Sequence, residues 1–259
     1  MDPVDPERVA ALIRSVAETA ILPRFRNLAA DDVKSKGPND LVTVADTEAE
    51  RALGAGLAAL LPGSAVVGEE GVAADAAALA PLAGDGATWI LDPLDGTLAF
   101  VRGEPDFSMI VALAEGGRTV AGWIYDPLRR RMAVAEAGKG ARLDGAPMRV
   151  APDRPVAELA GAVWWRPAAR KLGGKVRETR PWASAGLAYL ALAEGKLDFA
   201  LFRRLKPWDH AAGVLIHAEA GGTSALLDGA PYRPVPLEIP LLMAPGPESW
   251  AELKALVAD

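Results

Sequence analysis

Trp89-Ile90-Leu91-Asp92-Pro93-Leu94-Asp95-Gly96-Thr97-Leu98-Ala99-Phe100 is the stretch whose reading decides the fold. The apolar run 89–91 reads as a short buried strand. Pro93 offers no backbone N–H and pushes its predecessor into an extended conformation, so the strand is expected to stop at Asp92. Two carboxylates, Asp92 and Asp95, then stand on a turn at the strand's end. Gly96 and Thr97 let the chain turn into a helix with free N–H groups. A hard cation suits the carboxylates, and a phosphate suits the N–H groups. Together they point to metal-assisted chemistry on a phosphate ester, against the plainer reading of an Asp-Gly turn after a strand. A second segment, Trp123-Ile124-Tyr125-Asp126-Pro127-Leu128, copies the strand and the Asp-Pro but lacks the second acid and the Gly-Thr. It reads as a hairpin turn.

Working outward, 259 residues suffice for one large domain or two small ones with a buried core. Half of the residues are apolar and charged residues stand at an ordinary level, the composition of a globular chain. The formal net charge of −6 argues against broad nucleic-acid binding, which wants a basic face. With no cysteine, disulfides, thiolate zinc sites and thiol nucleophiles are excluded together. No stretch reads as a signal peptide or a membrane span, so no membrane partner is expected and the cytoplasm is the expected compartment.

Asp5-Pro6 reads as a helix cap followed by proline in the first turn. Val9, Leu12, Ile13, Val16, Ala20 and Ile21 then recur at helical spacing up to Pro23. Residues 31–40 read as a polar mobile loop, 41–44 as a strand ended by Ala45-Asp46, and 47–61 as a helix. Ala65-Val66-Val67 reads as a strand closed by Gly68-Glu69-Glu70-Gly71. Strands followed by acids therefore occur at Asp46, at Glu69-Glu70 and at Asp92/Asp95, and a shared sheet would bring these acids together. Taken one at a time, each is read more simply as a solvated loop carboxylate.

After an antiparallel meander over 107–136 the pattern changes near Gly145 to alternating strands and helices. This suggests two parts, 1–145 and 146–259, of one compact unit. Strands are expected at 160–165, 197–202 and 241–244, and helices at 182–194, 211–220 and from Glu248. Arg203, Arg204 and Lys206 make a basic turn before Pro207-Trp208-Asp209, where Asp209 reads either as a helix cap or as a further acid for the site. His210 and His217 lie two turns apart, too far for one metal site, and read as packing residues.

Four blocks resemble the inositol monophosphatase family of magnesium-dependent, lithium-sensitive phosphatases. They are Leu41-Val42-Thr43 with Asp46, then Gly68-Glu69-Glu70, then Asp92-Pro93-Leu94-Asp95-Gly96-Thr97, then Trp208-Asp209 with Ala212-Gly213 and Glu219-Ala220-Gly221-Gly222. The resemblance implies an α/β fold layered as an αβαβα sandwich, usually a homodimer, with two to three Mg2+ ions as cofactor and a small phosphorylated metabolite as partner. It implies that Glu69, Asp92 and the Leu94 carbonyl hold a first ion, and that Asp92, Asp95 and Asp209 hold a second. Gly96 and Thr97 would cradle the phosphate, Asp46 and Thr97 would support the attacking water, and Glu70 would assist in positioning. Ser184 and Ala185, with Gly186, would supply one substrate wall.

The chain departs from the family pattern in two places. Leu98-Ala99-Phe100 stands where Thr-Asn-Phe is common. Phe202, seven residues before Asp209, stands where inositol-specific members carry a Glu that reads sugar hydroxyls. With Arg203 beside it, Phe202 suggests a more anionic or aromatic substrate, with histidinol phosphate and a nucleotide 3′,5′-bisphosphate as alternatives to inositol phosphate. A non-catalytic regulatory protein on the same fold is the reading of another class. It would be expected to have lost a metal ligand, and every implied ligand is present.

Overall fold

The computed structural model of the chain describes residues 4–37 and 40–258. The chain enters through α1 (Pro6–Val16), capped by Asp5, whose carboxylate accepts from the Glu7 N–H at 2.9 Å. Strand β1 (Val33–Gly37) pairs antiparallel with β2 (Asp40–Thr43), which leads into α2 (Val44–Leu60). Next come β3 (Ala65–Gly68), α3 (Glu69–Ala74), β4 (Thr88–Asp95) and α4 (Thr97–Val101). The meander follows as β5 (Ser108–Glu115), β6 (Arg118–Asp126), β7 (Arg131–Glu136), β8 (Gly140–Leu143) and β9 (Ala146–Pro147). Strands β3 to β9 form one seven-stranded sheet in that spatial order, parallel between β3 and β4 and antiparallel thereafter. The second half supplies β10 (Ala160–Val163), α5 (Arg166–Leu172), β11 (Glu178–Arg180), α6 (Ala185–Ala193), β12 (Phe199–Phe202), α7 (Pro207–Glu219), β13 (Thr223–Leu226), β14 (Leu241–Ala244) and α8 (Pro247–Ala258). Its five strands form a mixed sheet in the order β11-β10-β12-β14-β13.

Strand periodicity builds the layers, because successive side chains point to opposite faces. Trp89, Leu91, Met109, Val111, Trp123 and Tyr125 pack with Ile13 and Val16 of α1 and Leu53 and Leu57 of α2. Their alternates Ile90, Ile110, Ala112 and Ile124 pack with α6, α7 and one face of the second sheet, through Ala162, Ala200 and Met243. The other face of that sheet, Val163, Phe199, Leu201 and Leu242, packs with Leu172 of α5 and Leu253 and Val257 of α8. The result is an αβαβα sandwich. Each fully buried large side chain contributes about 1.5–3 kcal/mol, and the middle core joins residues from both sides of Gly145.

Three local expectations are corrected. Residues 33–37 form a strand where a loop was expected, because Val33, Lys34 and Ser35 find cross-strand partners in Thr43, Val42 and Leu41; Pro38 lies outside the described residues. Strand β4 does not stop at Asp92. It continues to Asp95 through a shift of register between Asp92 and Asp95, an irregularity that accommodates Pro93 in the edge of the pairing. Helix α2 begins at Val44, before Asp46, because Thr43 and Asp46 form a reciprocal capping box. The Asp126-Pro127 segment is a hairpin turn as expected, with Asp126 buried and held by Arg129 and Arg131.

His210 and His217 are packing residues, as read from the sequence. His210 Nδ1 lies 2.9 Å from the Tyr189 hydroxyl and His217 Nδ1 2.9 Å from Ser224 Oγ. Burial pushes both imidazoles down to about 3. A depressed folded pKa means that the unfolded chain binds more protons below the ordinary value of 6.5. Each histidine therefore contributes stability that is complete above about pH 6.5 and is lost as pH falls toward 3. Replacing His217 with Gln should remove one group's share, up to about 1.4 kcal/mol per pH unit, from the acid slope of unfolding free energy. Denaturant titrations from pH 4 to 7 measure this directly; an unchanged slope would contradict it.

Candidate active site

The sheet's register assembles the acids. Strands β3 and β4 are parallel with Gly68 paired to Leu91, so the residues that follow, Glu69 and Asp92, emerge side by side at one sheet edge. Helix α7 packs across β4, β5, β6 and β7, and its first turn, opened by Pro207, delivers Asp209 to the same edge. Glu69, Asp92 and Asp209 each offer a carboxylate oxygen within 4.8 Å of the others.

Three like charges this close are costly without a cation. The Asp92 carboxyl is held well above the ordinary carboxylate range, first by burial and then by Glu69, Asp95 and Asp209. Asp209 is raised likewise by burial, Glu69 and Asp95, with Lys206 and Lys36 opposing. An all-oxygen donor set with excess negative charge fits a hard divalent cation. These residues could hold one, and in doing so would lose the repulsion that separates them.

Asp95 sits beside this trio in a different environment. Its Oδ2 accepts from Ser108 Oγ at 3.0 Å, from Ser184 Oγ and from the Gly186 N–H at 2.7 Å, and its Oδ1 accepts from the Ala185 N–H at 3.2 Å. Burial raises its carboxyl, and these four donors pull it back. Asp95 thus caps α6, leaving Oδ1 as its less committed oxygen. Leu94 is buried, and its carbonyl accepts from Thr97 Oγ1 at 3.0 Å.

Asp46 is buried at the first turn of α2. Its Oδ2 accepts from the Thr43 N–H at 2.7 Å and Thr43 Oγ1 at 2.6 Å, and its Oδ1 from Thr97 Oγ1 at 3.1 Å. Burial raises it to about 6 against those bonds. Gly96 has φ of +95°, and a side chain there would meet the Asp106 carbonyl at 2.7 Å, so only glycine turns the chain from β4 into α4.

Sequence reasoning missed Glu50. Its carboxylate accepts from the Glu70 N–H at 2.8 Å and the Gly71 N–H at 2.7 Å, tying α2 to the turn that carries Glu69 and Glu70. Gly68 makes room for it, since a Cβ there would fall 2.4 Å from the Glu50 carboxylate. The glycine just before the two acids was the available signal. Lys36 was also missed; its Nζ lies 3.0 Å from Glu70 Oε1 and 3.3 Å from Glu69 Oε1.

The expected substrate wall needs correction. Phe202 is 3% exposed and presents no open face. Its ring is stacked between Trp164 at 4.5 Å and Tyr189 at 5.1 Å, with the His210 ring edge-on at 4.8 Å, and Trp164 is the exposed end of the stack. Ser184 is equally buried, spent on Asp95 and on the Leu187 N–H. Arg203 lies over the Trp165 ring, with its guanidinium 5.7 Å from the ring centre.

With this geometry in place, the sequence profile of the Inositol monophosphatase family matches residues 5–258. The chain belongs to the inositol monophosphatase family. Among relatives, Inositol-1-monophosphatase of Bacillus subtilis is 32% identical over 205 residues, covering 75% of this chain and 76% of that protein. Fructose-1,6-bisphosphatase/inositol-1-monophosphatase of Thermotoga maritima is 32% identical over 198 residues, covering 74% of each. A solved structure of a Thermotoga maritima IMPase superposes with a TM-score of 0.84 at 28% identity, covering 97% of both chains. As an inositol monophosphatase family member the chain is a phosphoric monoester hydrolase acting on small phosphorylated substrates. Among the described residues no helix is long and apolar enough to cross a membrane.

Proposed function

We propose that the protein hydrolyses a small phosphate monoester, inositol monophosphatase-like, with two to three Mg2+ ions held by Glu69, Asp92, Asp209, the Leu94 carbonyl and Asp95 Oδ1. The observation that carries this is the convergence of Glu69, Asp92 and Asp209 from three separate elements within 4.8 Å. Magnesium held there would supply Lewis-acid chemistry, drawing charge from the phosphoryl oxygens and making water more acidic. The chain's own residues do the rest. Thr97 Oγ1 passes a proton between the attacking water and Asp46, which is fixed by two bonds from Thr43. A carboxyl raised to about 6 is a stronger base than an ordinary aspartate and is suited to that transfer near neutral pH. The backbone N–H groups of Gly96 and Thr97 orient the phosphate, and Glu70, anchored through its own N–H by Glu50, positions the turn.

Position 202 carries a buried phenyl ring, with no acid there to read hydroxyls. Relatives are named for inositol-1-phosphate hydrolysis and for fructose-1,6-bisphosphate hydrolysis as well. Preference for inositol 1-phosphate over other compact phosphomonoesters is therefore small, because a site without that acid discriminates far less than one built to bond a hydroxyl. The test is phosphate release from inositol 1-phosphate, histidinol phosphate, a nucleotide 3′,5′-bisphosphate and fructose 1,6-bisphosphate. Release is expected with magnesium and not with EDTA; full activity in EDTA would end this reading.

A further inference from the structure

We infer that Glu50 is a positioning residue for Glu69: it fixes the first turn of α3 against α2 and thereby sets how tightly the acid site holds magnesium. This rests on the metal reading above and concerns a residue outside the proposed ligands. Helix α3 follows Gly68, whose backbone is extended and which has no side chain to cap the helix. An N-cap side chain normally accepts from the second or third N–H of its helix. In α3 those are the N–H groups of Glu70 and Gly71. Glu50 accepts both, Oε2 at 2.8 Å and Oε1 at 2.7 Å. The cap of α3 thus comes from another helix. A capping side chain at 68 could bond the same groups, but only one from α2 also fixes where the turn stands.

Asp46 lies four residues before Glu50, on the same face of α2. Its Oδ1 accepts from Thr97 Oγ1 at 3.1 Å. One helix therefore holds two segments that reach the site from different strands. They are the turn after β3, with Glu69, and the turn after β4, with Thr97. Glu69 is the first residue of α3 and directly precedes the captured Glu70 N–H. A shift of this turn moves the Glu69 carboxylate relative to Asp92 and Asp209. Glu50 is half-buried. Burial pushes its carboxyl up, the two N–H bonds pull it back, and Glu70 and Glu69 push it up again. An amide would escape that repulsion but offers one acceptor for two N–H groups. The close approach is built into the backbone. The three atoms nearest to a Cβ at Gly68 all belong to Glu50, with Cδ and Oε2 at 2.4 Å.

The test measures magnesium affinity of the full chain by calorimetry, and amide exchange at Glu70 and Gly71 in the metal-free protein by NMR. Glu50→Gln should weaken magnesium about tenfold, the scale of one hydrogen bond to a charged group. Its kcat at saturating magnesium should fall by less than its affinity. Gly68→Ala, whose Cβ displaces the Glu50 carboxylate, should weaken magnesium likewise. Added to Glu50→Ala it should cost little more, because the two residues act through one contact. The separating variant combines Glu50→Ala with Gly68→Ser. There the space beside residue 68 is clear and the serine caps α3 locally. Exchange protection at Glu70 or Gly71 should return, while magnesium affinity stays at the level of Glu50→Ala. Recovery of affinity together with protection would make Glu50 a helix cap and nothing more, and would overturn the inference. Unchanged affinity in both Glu50→Gln and Glu50→Ala would overturn it too, leaving the metal reading intact. A wild-type chain that binds no magnesium would instead remove the metal reading, and the inference with it.

Discussion

Asp92→Asn is expected to cut turnover by about 10³-fold or more and, in the absence of metal, to make the protein more stable. The first effect follows from removing a carboxylate shared by the acid trio, since metal stabilisation of transition-state charge is worth several kcal/mol. The second follows from the site's electrostatics. Asp92 is 2% exposed, and burial with three neighbouring carboxylates raises its pKa well above the ordinary value. A raised folded pKa means stability that is present below the unfolded value and is lost as pH rises through the folded one. At neutral pH the metal-free fold therefore carries the cost of burying Asp92 among its neighbouring carboxylates, which the neutral Asn does not. Asn can still accept the Leu94 N–H, now 2.9 Å from Oδ1, so the local turn survives. Melting in EDTA should place the variant a few degrees above wild type, on the scale of about 2–4 °C per kcal/mol for a chain of this size, and the gap should widen with pH. Added magnesium should raise wild type and leave the variant almost unmoved. A variant that melts lower than wild type in EDTA, or that responds equally to magnesium, would contradict this account.

Thr97→Ala carries the next largest effect. The Thr97 hydroxyl lies 3.1 Å from Asp46 Oδ1 and 3.0 Å from the Leu94 carbonyl, so its one proton has two acceptors. If the hydroxyl relays the water's proton to Asp46, its loss should lower kcat by about 10²-fold or more, the usual scale for a positioned acid or base. KM should change little, because the interaction is made with the attacking water and not with the substrate's organic part. Thr97→Ser should recover most of the rate. Hydrolysis in ¹⁸O-labelled water should leave one label on the released phosphate in every case. A rise in KM with unchanged kcat would assign Thr97 to binding alone, and a trapped phosphoenzyme would exclude direct attack by water.

Part of the site was legible in the sequence, because Glu69 and Asp92 follow short apolar strands that share one sheet. The strand before Asp46 does not join them but forms a separate two-stranded sheet with β1, and Asp46 meets the site through Thr97. The pairing of Gly68 with Leu91 is what turns two separate strand ends into the neighbours Glu69 and Asp92. Asp209 was visible as an acid at a helix start, yet only the packing of α7 across the sheet brings it to that edge. The capping box that begins α2 at Val44 was present as Thr43 and Asp46 but was read as the end of a strand, since both readings put Thr43 in extended backbone. Strand β1 was illegible because Lys34, Ser35 and Lys36 have little strand preference of their own and pair only where β2 is available.

Side-chain direction was the least legible feature. Counting seven residues back from Asp209 reaches Phe202, but nothing in the count says that Trp164 covers its outer face. Likewise Ser184 carries no sign that Asp95, 89 positions earlier, consumes its hydroxyl. Glu50 lies within a helix, and its role depends on the missing side chain at Gly68. In each case the deciding contact is between residues far apart in sequence, where local pattern carries no information.

The central claim is that Glu69, Asp92 and Asp209 form one divalent-cation site. It is tested most directly by anomalous diffraction from crystals of the protein grown with manganese in place of magnesium. The account predicts a strong anomalous peak bounded by a carboxylate oxygen from each of Glu69, Asp92 and Asp209, lost in the Asp92→Asn variant. A peak elsewhere, or none among these three carboxylates at saturating manganese, would contradict it.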